Sequence, residues 1–437
     1  MMAPSRRLPM TLRAYRLLSL AATPLAPAWL AYRTKRGKEN PARAIERRGE
    51  TATERPDGPL IWVHGASVGE LLAVLPLVQR LRAMGFGVLV TSGTVTSANL
   101  ARDRFPPDVI HQFVPLDTPR FVAQFLNRWQ PDLALFAESD IWPNLIIASA
   151  NRRIPLILVN GRVSERSFHR WRAIHGTAKA LLGRFELCLA QSGLDANRFT
   201  QLGAPQAVVT GNLKLDVPAP PTDADKLRAL KEAIGARPVV AATSTHAGEE
   251  IAMIEVHRRL RPSFPGLLTI VVPRHPQRGR DIYNLAERAG QAPALRSQRQ
   301  MPDHHTQIYI ADTMGELGLI YTLAPIVFVG GSLVEHGGQN PIEAIKLGAA
   351  VLHGPYVENF AEIYAALDAA RGTAEVANPN DLTMRVGNWL KDVSARRFTV
   401  EAGQKTVARL GGALDRTVAA LEPYLLQLRL EYRPADA

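Results

Sequence analysis

The chain has 437 residues, more than one hydrophobic core usually spans, and its 46% hydrophobic and 21% charged residues are the balance of a globular protein. A single cysteine, Cys188, excludes an internal disulfide, and 32 glycines and 32 prolines without periodicity exclude a collagen-like chain. Of the net charge of +12, residues 1–48 hold +9 (eleven Arg and Lys against Glu39 and Glu46), a basic head on a nearly neutral body that does not suit broad nucleic-acid binding.

Leu17 to Tyr32 is an uncharged run of 16 residues interrupted by Pro24 and Pro27. A bilayer span needs roughly 20 apolar residues. Three readings compete: a cleaved signal peptide, which the prolines and the following basic residues fit poorly; a short span or interfacial anchor, with Trp29 and Tyr32 at the boundary; and an amphipathic helix packed on the first domain. The anchor is the favoured expectation.

From residue 60 apolar runs alternate with helical patterns. Leu60–His64, Gly87–Thr91, Leu133–Ala137, Pro155–Asn160 and Leu187–Ala190 read as buried strands, with Cys188 as a packed, inert thiol in the last. The rhythm breaks at Asp216-Val-Pro-Ala-Pro-Pro-Thr-Asp223, an extended connector. It restarts with Val239–Thr243, Leu267–Val272, Gln307–Ile310, Ile326–Val329 and Ala350–Leu352, and closes with one or two amphipathic helices over about 395–430. This predicts two doubly wound α/β domains, with ligands outside the carboxyl ends of the strands.

Chemistry-bearing residues cluster at those strand ends. His64-Gly-Ala-Ser-Val-Gly-Glu70 contains G-x-S-x-G in a strand–turn–helix setting, which admits Ser67 as the nucleophile of an α/β-hydrolase. Against that, the only His-Gly-Gly (His336–Gly338) comes far downstream, and such an enzyme needs no second sheet domain. The other reading has the turn receiving a substrate at a helix start, with Glu70 in the first helical turn. Glu138-Ser-Asp-Ile-Trp-Pro-Asn144 follows a buried strand with two carboxylates, of which Asp140 is placed to cap a helix with Pro143 at N1, and with Trp142 as a stacking wall. Arg162 and Arg166 in Asn160–Ser167 are surface charges or anion ligands. Lys214, in Gly211–Asp216, is either solvated or directed at a ligand. In the second half, Arg274 and Arg278 of Val272–Arg278 suit a phosphate or nucleotide. Asp312–Glu316 follows the next strand. Asn340, Pro341 and Glu343 read as N-cap, N1 and N3 of a helix under a glycine-rich turn, an anion cradle in which Glu343 accepts ribose hydroxyls. Asp223-Ala-Asp225 matches a metal-binding DxD but lies in the connector, and His304-His305 is weak as a metal site.

Together these motifs resemble the Kdo (3-deoxy-D-manno-oct-2-ulosonic acid) transferase family of lipopolysaccharide biosynthesis. The matching pieces are HGASVGE, ESDIWPN, NGRVSERS, GNLKLD, PRHP, DTMGEL and GGSLVEHGGQNPIEA, in that order. Ser139-Asp140 departs from the Thr-Glu more usual there. The resemblance implies a GT-B fold of two facing Rossmann-like domains, a CMP-Kdo donor, a lipid A precursor (lipid IVA) as acceptor, inversion at the anomeric carbon, and no metal or other cofactor. It maps Glu70 to the general base and Glu138 and Lys214 to transition-state stabilisation. Pro273, Arg274, Met314, Gly315, Glu316, Asn340, Pro341, Ile342 and Glu343 map to the CMP site. The expected organisation is a membrane-associating segment at 1–42, an acceptor domain at 43–215, a proline-rich linker at 216–225, a CMP-Kdo domain at 226–400 and helices at 401–437 packing back toward the first domain. The expected location is the inner membrane, with the catalytic domains on the cytoplasmic side. Alternatives are a Ser67 esterase or a GT-B enzyme for another nucleotide sugar.

Overall fold

The computed structural model describes residues 8–138 and 141–432. The chain forms two compact units, one running up to Val217 and taking in the residues from Gly411 onward, the other Pro218–Leu410.

In the first unit, β1 (Leu60–His64), β2 (Gly87–Ser92), β3 (Ile110–Phe113), β4 (Leu133–Ala137), β5 (Leu156–Gly161), β6 (Leu187–Ala190) and β7 (Ala207–Val209) form one sheet in the order β3-β2-β1-β4-β5-β6-β7. Every pairing is parallel. Helices cover both faces, so the inner strands are buried throughout and read as unbroken apolar runs. Trp62 of β1 is fully buried against Phe125 and Phe136, at centroid distances of 5.0 and 5.1 Å. The edge strands β3 and β7 carry no such run. Gln112 interrupts the first, and Val208 and Val209 of the second are exposed.

The second unit repeats the plan. Its strands are β8 (Val239–Thr245), β9 (Leu268–Pro273), β10 (Pro293–Leu295), β11 (Ile308–Ile310), β12 (Ile326–Val329), β13 (Ala350–His353) and β14 (Thr373–Glu375), ordered β10-β11-β9-β8-β12-β13-β14 and parallel throughout. In each sheet the connections run to one side of the first strand and then jump to the other. The switch points therefore lie between β1 and β4 and between β8 and β12, and α/β sheets bind ligands outside the carboxyl ends of strands at such points.

The N-terminal segment folds as two helices, Met10–Ala21 and Ala26–Lys35, joined by a turn at Thr23–Leu25. Pro24 and Pro27 sit at helix starts, where a missing N–H leaves no bond unmade. No helix of the described residues is long and apolar enough to cross a membrane. The first helix is packed on its own unit: Leu12 is buried in the core, Thr11 Oγ1 lies 2.6 Å from Thr177 Oγ1, and Tyr15 donates to Asp117 Oδ2 at 2.9 Å. Leu17 and Leu18 of this helix, Leu25 of the turn and Trp29 of the second helix are between 52% and 70% exposed. Part of the basic head belongs to the fold rather than to solvent. Arg47 is buried, pairs with Glu39 at 3.0 Å and donates to Val114 O. Arg43 makes a bidentate pair with Glu46 and donates to His111 O at 2.8 Å.

Candidate active site

At the first switch point β1 runs into the helix Val68–Ala83. Ser67 is its N-cap, accepting from Glu70 N at 3.3 Å, while its hydroxyl donates to Glu70 Oε1 at 2.9 Å. Glu70 Oε2 accepts the Ala66 N–H at 2.7 Å. This is a capping arrangement in which the N3 carboxylate reaches back over the turn. It fixes the carboxylate of Glu70 at the sheet edge and half-exposed, and engages Ser67 in the cap. The side chain of His64 is buried, its Nδ1 2.8 Å from Thr91 Oγ1.

Across the switch point, Glu138 follows β4 with φ +57°, a left-handed conformation that costs energy in a non-glycine residue and gathers at functional sites. Lys214 Nζ meets its Oε1 at 2.6 Å, with both side chains about one-fifth exposed. A solvated lysine is thus the wrong picture for Lys214. The pair is held by Asn160, at the end of β5 and itself at φ +54°. Its Nδ2 reaches Glu138 Oε1 at 3.5 Å, and its Oδ1 accepts Leu213 N at 2.9 Å. Asp216, two residues past Lys214, accepts Gly412 N at 2.8 Å and Leu414 N at 2.6 Å, which anchors the start of the closing helix Ala413–Glu431.

Asp140, expected to cap the following helix, lies outside the described residues together with Ser139. The helix Pro143–Asn151 is capped from elsewhere: buried Asp117 accepts Asn144 N and Leu145 N, each at 3.0 Å. Pro143 does take N1. Trp142 is partly buried against the core. Arg162 is half-buried and Arg166 exposed, at the end of β5 and in the helix Glu165–Ala173.

In the second unit Pro273 ends β9 buried, and Arg274 follows it exposed, its N–H bonded to Thr245 O at 3.0 Å. Arg278 departs from the expected anion ligand. It pairs at 2.6 Å with Glu250, a fully buried carboxylate that would otherwise lack a counter-charge. Met314 is 76% exposed, and Gly315 has φ +79°, a conformation open to glycine. Glu316 pairs with Arg296 and, at 3.0 Å, with Lys226. Arg296, Thr313 and Lys226 hold its pKa down at about 2. A cavity of about 410 Å³ lies there, lined by Thr222, Asp223, Lys226, Gly315, Glu316 and Leu319. Asp223 is the N-cap of the helix Ala224–Ile234, accepting from Asp225 N and Lys226 N, so the DxD-like triplet has a structural role and the connector stops short of residue 225. The helix under the glycine turn is only Ile342–Lys346; Asn340 Oδ1 caps it through Ile342 N at 3.1 Å, Pro341 is buried before it and Glu343 is in its first turn.

Two organising residues escaped the sequence reading. Asn160 was seen only as part of a motif. Glu249, buried at the start of the helix Glu249–Leu260, accepts four backbone N–H groups: His246 at 2.9 Å, Gly331 at 2.8 Å, and Ser332 and Leu333 at 3.0 Å. It ties the loop after β8 to the glycine turn after β12. The available signal was internal: Ala247-Gly-Glu249 after β8 mirrors Val68-Gly-Glu70 after β1.

Two Rossmann-like units with carboxylates, a lysine and anion-ready loops at their strand ends have the architecture of the GT-B type. The fold is shared with a glycosyltransferase from Rickettsia africae (TM-score 0.59, 13% identity, 85% of this chain and 99% of that one). It is also shared with UDP-GlcNAc 2-epimerase from Neisseria meningitidis (TM-score 0.58, 14% identity, 84% and 100%). Identities this low speak for fold alone. The family described as 3-deoxy-D-manno-octulosonic-acid transferase (kdotransferase) matches residues 42–217. The 3-deoxy-D-manno-octulosonic acid transferase of Haemophilus influenzae is 34% identical over 422 residues, 94% of this chain and 98% of that protein. That of Bordetella pertussis is 34% identical over 428 residues, 94% and 99%. The chain belongs to the Kdo transferase family. The esterase reading of Ser67 is thereby overturned, in keeping with its place in the helix cap.

Proposed function

We propose that the protein moves Kdo from CMP-Kdo to a lipid A precursor, lipid IVA, with inversion and without a metal, at the cytoplasmic side of the inner membrane. The observation that carries this reading is the pair of sites at one sheet edge of the first unit, Glu70 after β1 and the Glu138–Lys214 ion pair after β4.

A sugar hydroxyl attacks usefully only while it loses its proton, so a carboxylate within hydrogen-bond reach is required. Glu70 fits that role. Ala66 N–H and the Ser67 hydroxyl hold its two oxygens at the start of the helix, which fixes the carboxylate, half-exposed, where an acceptor hydroxyl can reach it. The donor carbon gains positive character as CMP leaves, and Glu138 offsets it while Lys214 keeps that carboxylate oriented. On the second unit Arg274 and the helix start capped by Asn340 offer charge and N–H groups to the departing phosphate. The cytidine ribose falls to Glu343, and the loop Met314–Glu316 borders the cavity for the nucleotide.

The exposed apolar face of the N-terminal helices supports membrane attachment, with Arg13, Arg16, Lys35 and Lys38 near it for anionic headgroups. The reading is tested by following CMP release from CMP-Kdo with and without lipid IVA. Release that depends on the lipid supports it; equal release with UDP-linked sugars would reject the donor assignment.

A further inference from the structure

Three histidines meet at the second switch point, and the mechanism above uses none of them. His246 follows β8, His275 follows β9 and His336 lies beyond β12. The rings of His246 and His336 are stacked, with centroids 4.1 Å apart and planes 22° apart, and His275 meets His246 edge-on at 6.0 Å. His246 Nε2 is shut off from solvent and has no hydrogen-bond partner among the described residues. A buried polar atom left this way costs about 1–3 kcal/mol and calls for an explanation.

The surroundings are built rather than accidental. Glu249 spends its carboxylate on four backbone N–H groups, including that of His246 itself, and so clamps the two loops that carry the stacked rings. Gly331, at φ +68°, backs the ring of His246; a Cβ there would lie 3.4 Å from it. The charged and titratable groups facing His246 are His336 from the loop after β12, Glu249 from the helix after β8, and His275 and Arg274 from the loop after β9. Burial and then His336 hold the His246 pKa below its usual value, and Glu249 opposes them. Two further imidazoles and the Arg274 guanidinium thus gather around His246, whose Nε2 still has no hydrogen-bond partner among the described residues.

We propose that His246, with His336 stacked on it and Arg274 beside it, is an anion site that takes the phosphate or the carboxylate of the activated sugar donor. The identity of that donor rests on the function proposed above. The anion satisfies the orphaned ring nitrogen, and its charge draws onto the histidine pair a proton that burial disfavours. Binding therefore weakens as pH rises through the histidine range.

The test is calorimetric binding of CMP and of cytidine to the full chain and to His246→Ala, at pH 6 and pH 8, with donor KM measured alongside. For a phosphate ligand, CMP binding falls at least 10-fold in the variant while cytidine binding is unchanged, and only the unaltered protein loses CMP affinity from pH 6 to pH 8. For a carboxylate ligand, CMP binding is unchanged and donor KM rises at least 10-fold. Equal CMP affinity and equal donor KM in the two proteins would overturn the site. Failure of the unaltered protein to bind CMP would instead overturn the donor assignment, and the site with it. Melting temperatures confirm that the variant is folded, and His336→Gln, at an exposed position, gives the same readouts if it is not.

Discussion

Glu70 and Ser67 share one helix turn, and the direction of their hydrogen bonds separates their roles. Ser67 is a cap: its loss in Ser67→Ala costs about 1 kcal/mol of stability and leaves most of the transfer rate. Glu70→Gln folds but cannot accept the acceptor's proton, and kcat should drop ~10²–10⁴-fold. Assaying the two side by side decides, since a serine nucleophile demands the reverse ranking. Lys214→Met should lower kcat more than it raises KM, because it frees the Glu138 carboxylate it now orients. The site residues readable in advance were those at the ends of apolar runs, where spacing alone puts a side chain at the sheet edge. Asn160 was not readable, because its bonds go to residues far along the chain, and Glu249 left only the Gly-Glu after β8 that repeats the one after β1.

At the level of elements, buried strands announced themselves, and β3, β7, β10 and β14 did not, being the edge strands of the two sheets. Edge strands lack the run that burial on both faces imposes on inner strands. An anchor was favoured for the N-terminal helices over a helix packed on the first domain, yet Leu12, Tyr15 and Ser19 bind the first unit, Ser19 through a 3.0 Å bond from Asn144 Nδ2. Deleting residues 1–32 should therefore lower the melting temperature and slow transfer even to a detergent-dispersed acceptor. Replacing only Leu17, Leu18 and Leu25 with serine should release the protein from anionic vesicles and leave detergent activity intact, as a vesicle-flotation assay would show. Vesicle binding unchanged in that variant would refute the anchor. The segment after these helices adds a pH dependence. Burial, then Arg43 and Arg47, hold the His111 pKa down at about 3, against 6.5 ordinarily. The unfolded chain thus takes up this proton first, so stability is full above pH 6.5 and declines as pH falls toward 3. His111→Gln should flatten that decline in denaturant titrations between pH 6.5 and pH 4.

For the whole molecule, the two sheets and the break between them were legible because the βαβ rhythm stops at one proline cluster and restarts. The return of the last helix to the first unit was not carried by any local pattern. Leu421, Leu425 and Leu428 pack into the core formed by Val63 and Leu77, and Asp216 caps the helix start. With Arg274 and a helix start assigned to the leaving phosphate, transfer should proceed at an unchanged rate in excess EDTA; a rate abolished by chelation and restored by Mg²⁺ would contradict that assignment. The central claim is the transfer itself. Incubating the protein with CMP-Kdo and lipid IVA and weighing the lipid by mass spectrometry should show it gaining whole Kdo residues, with none gained by the Glu70→Gln protein. An unmodified lipid with the unaltered protein, or equal modification by the variant, would contradict the account.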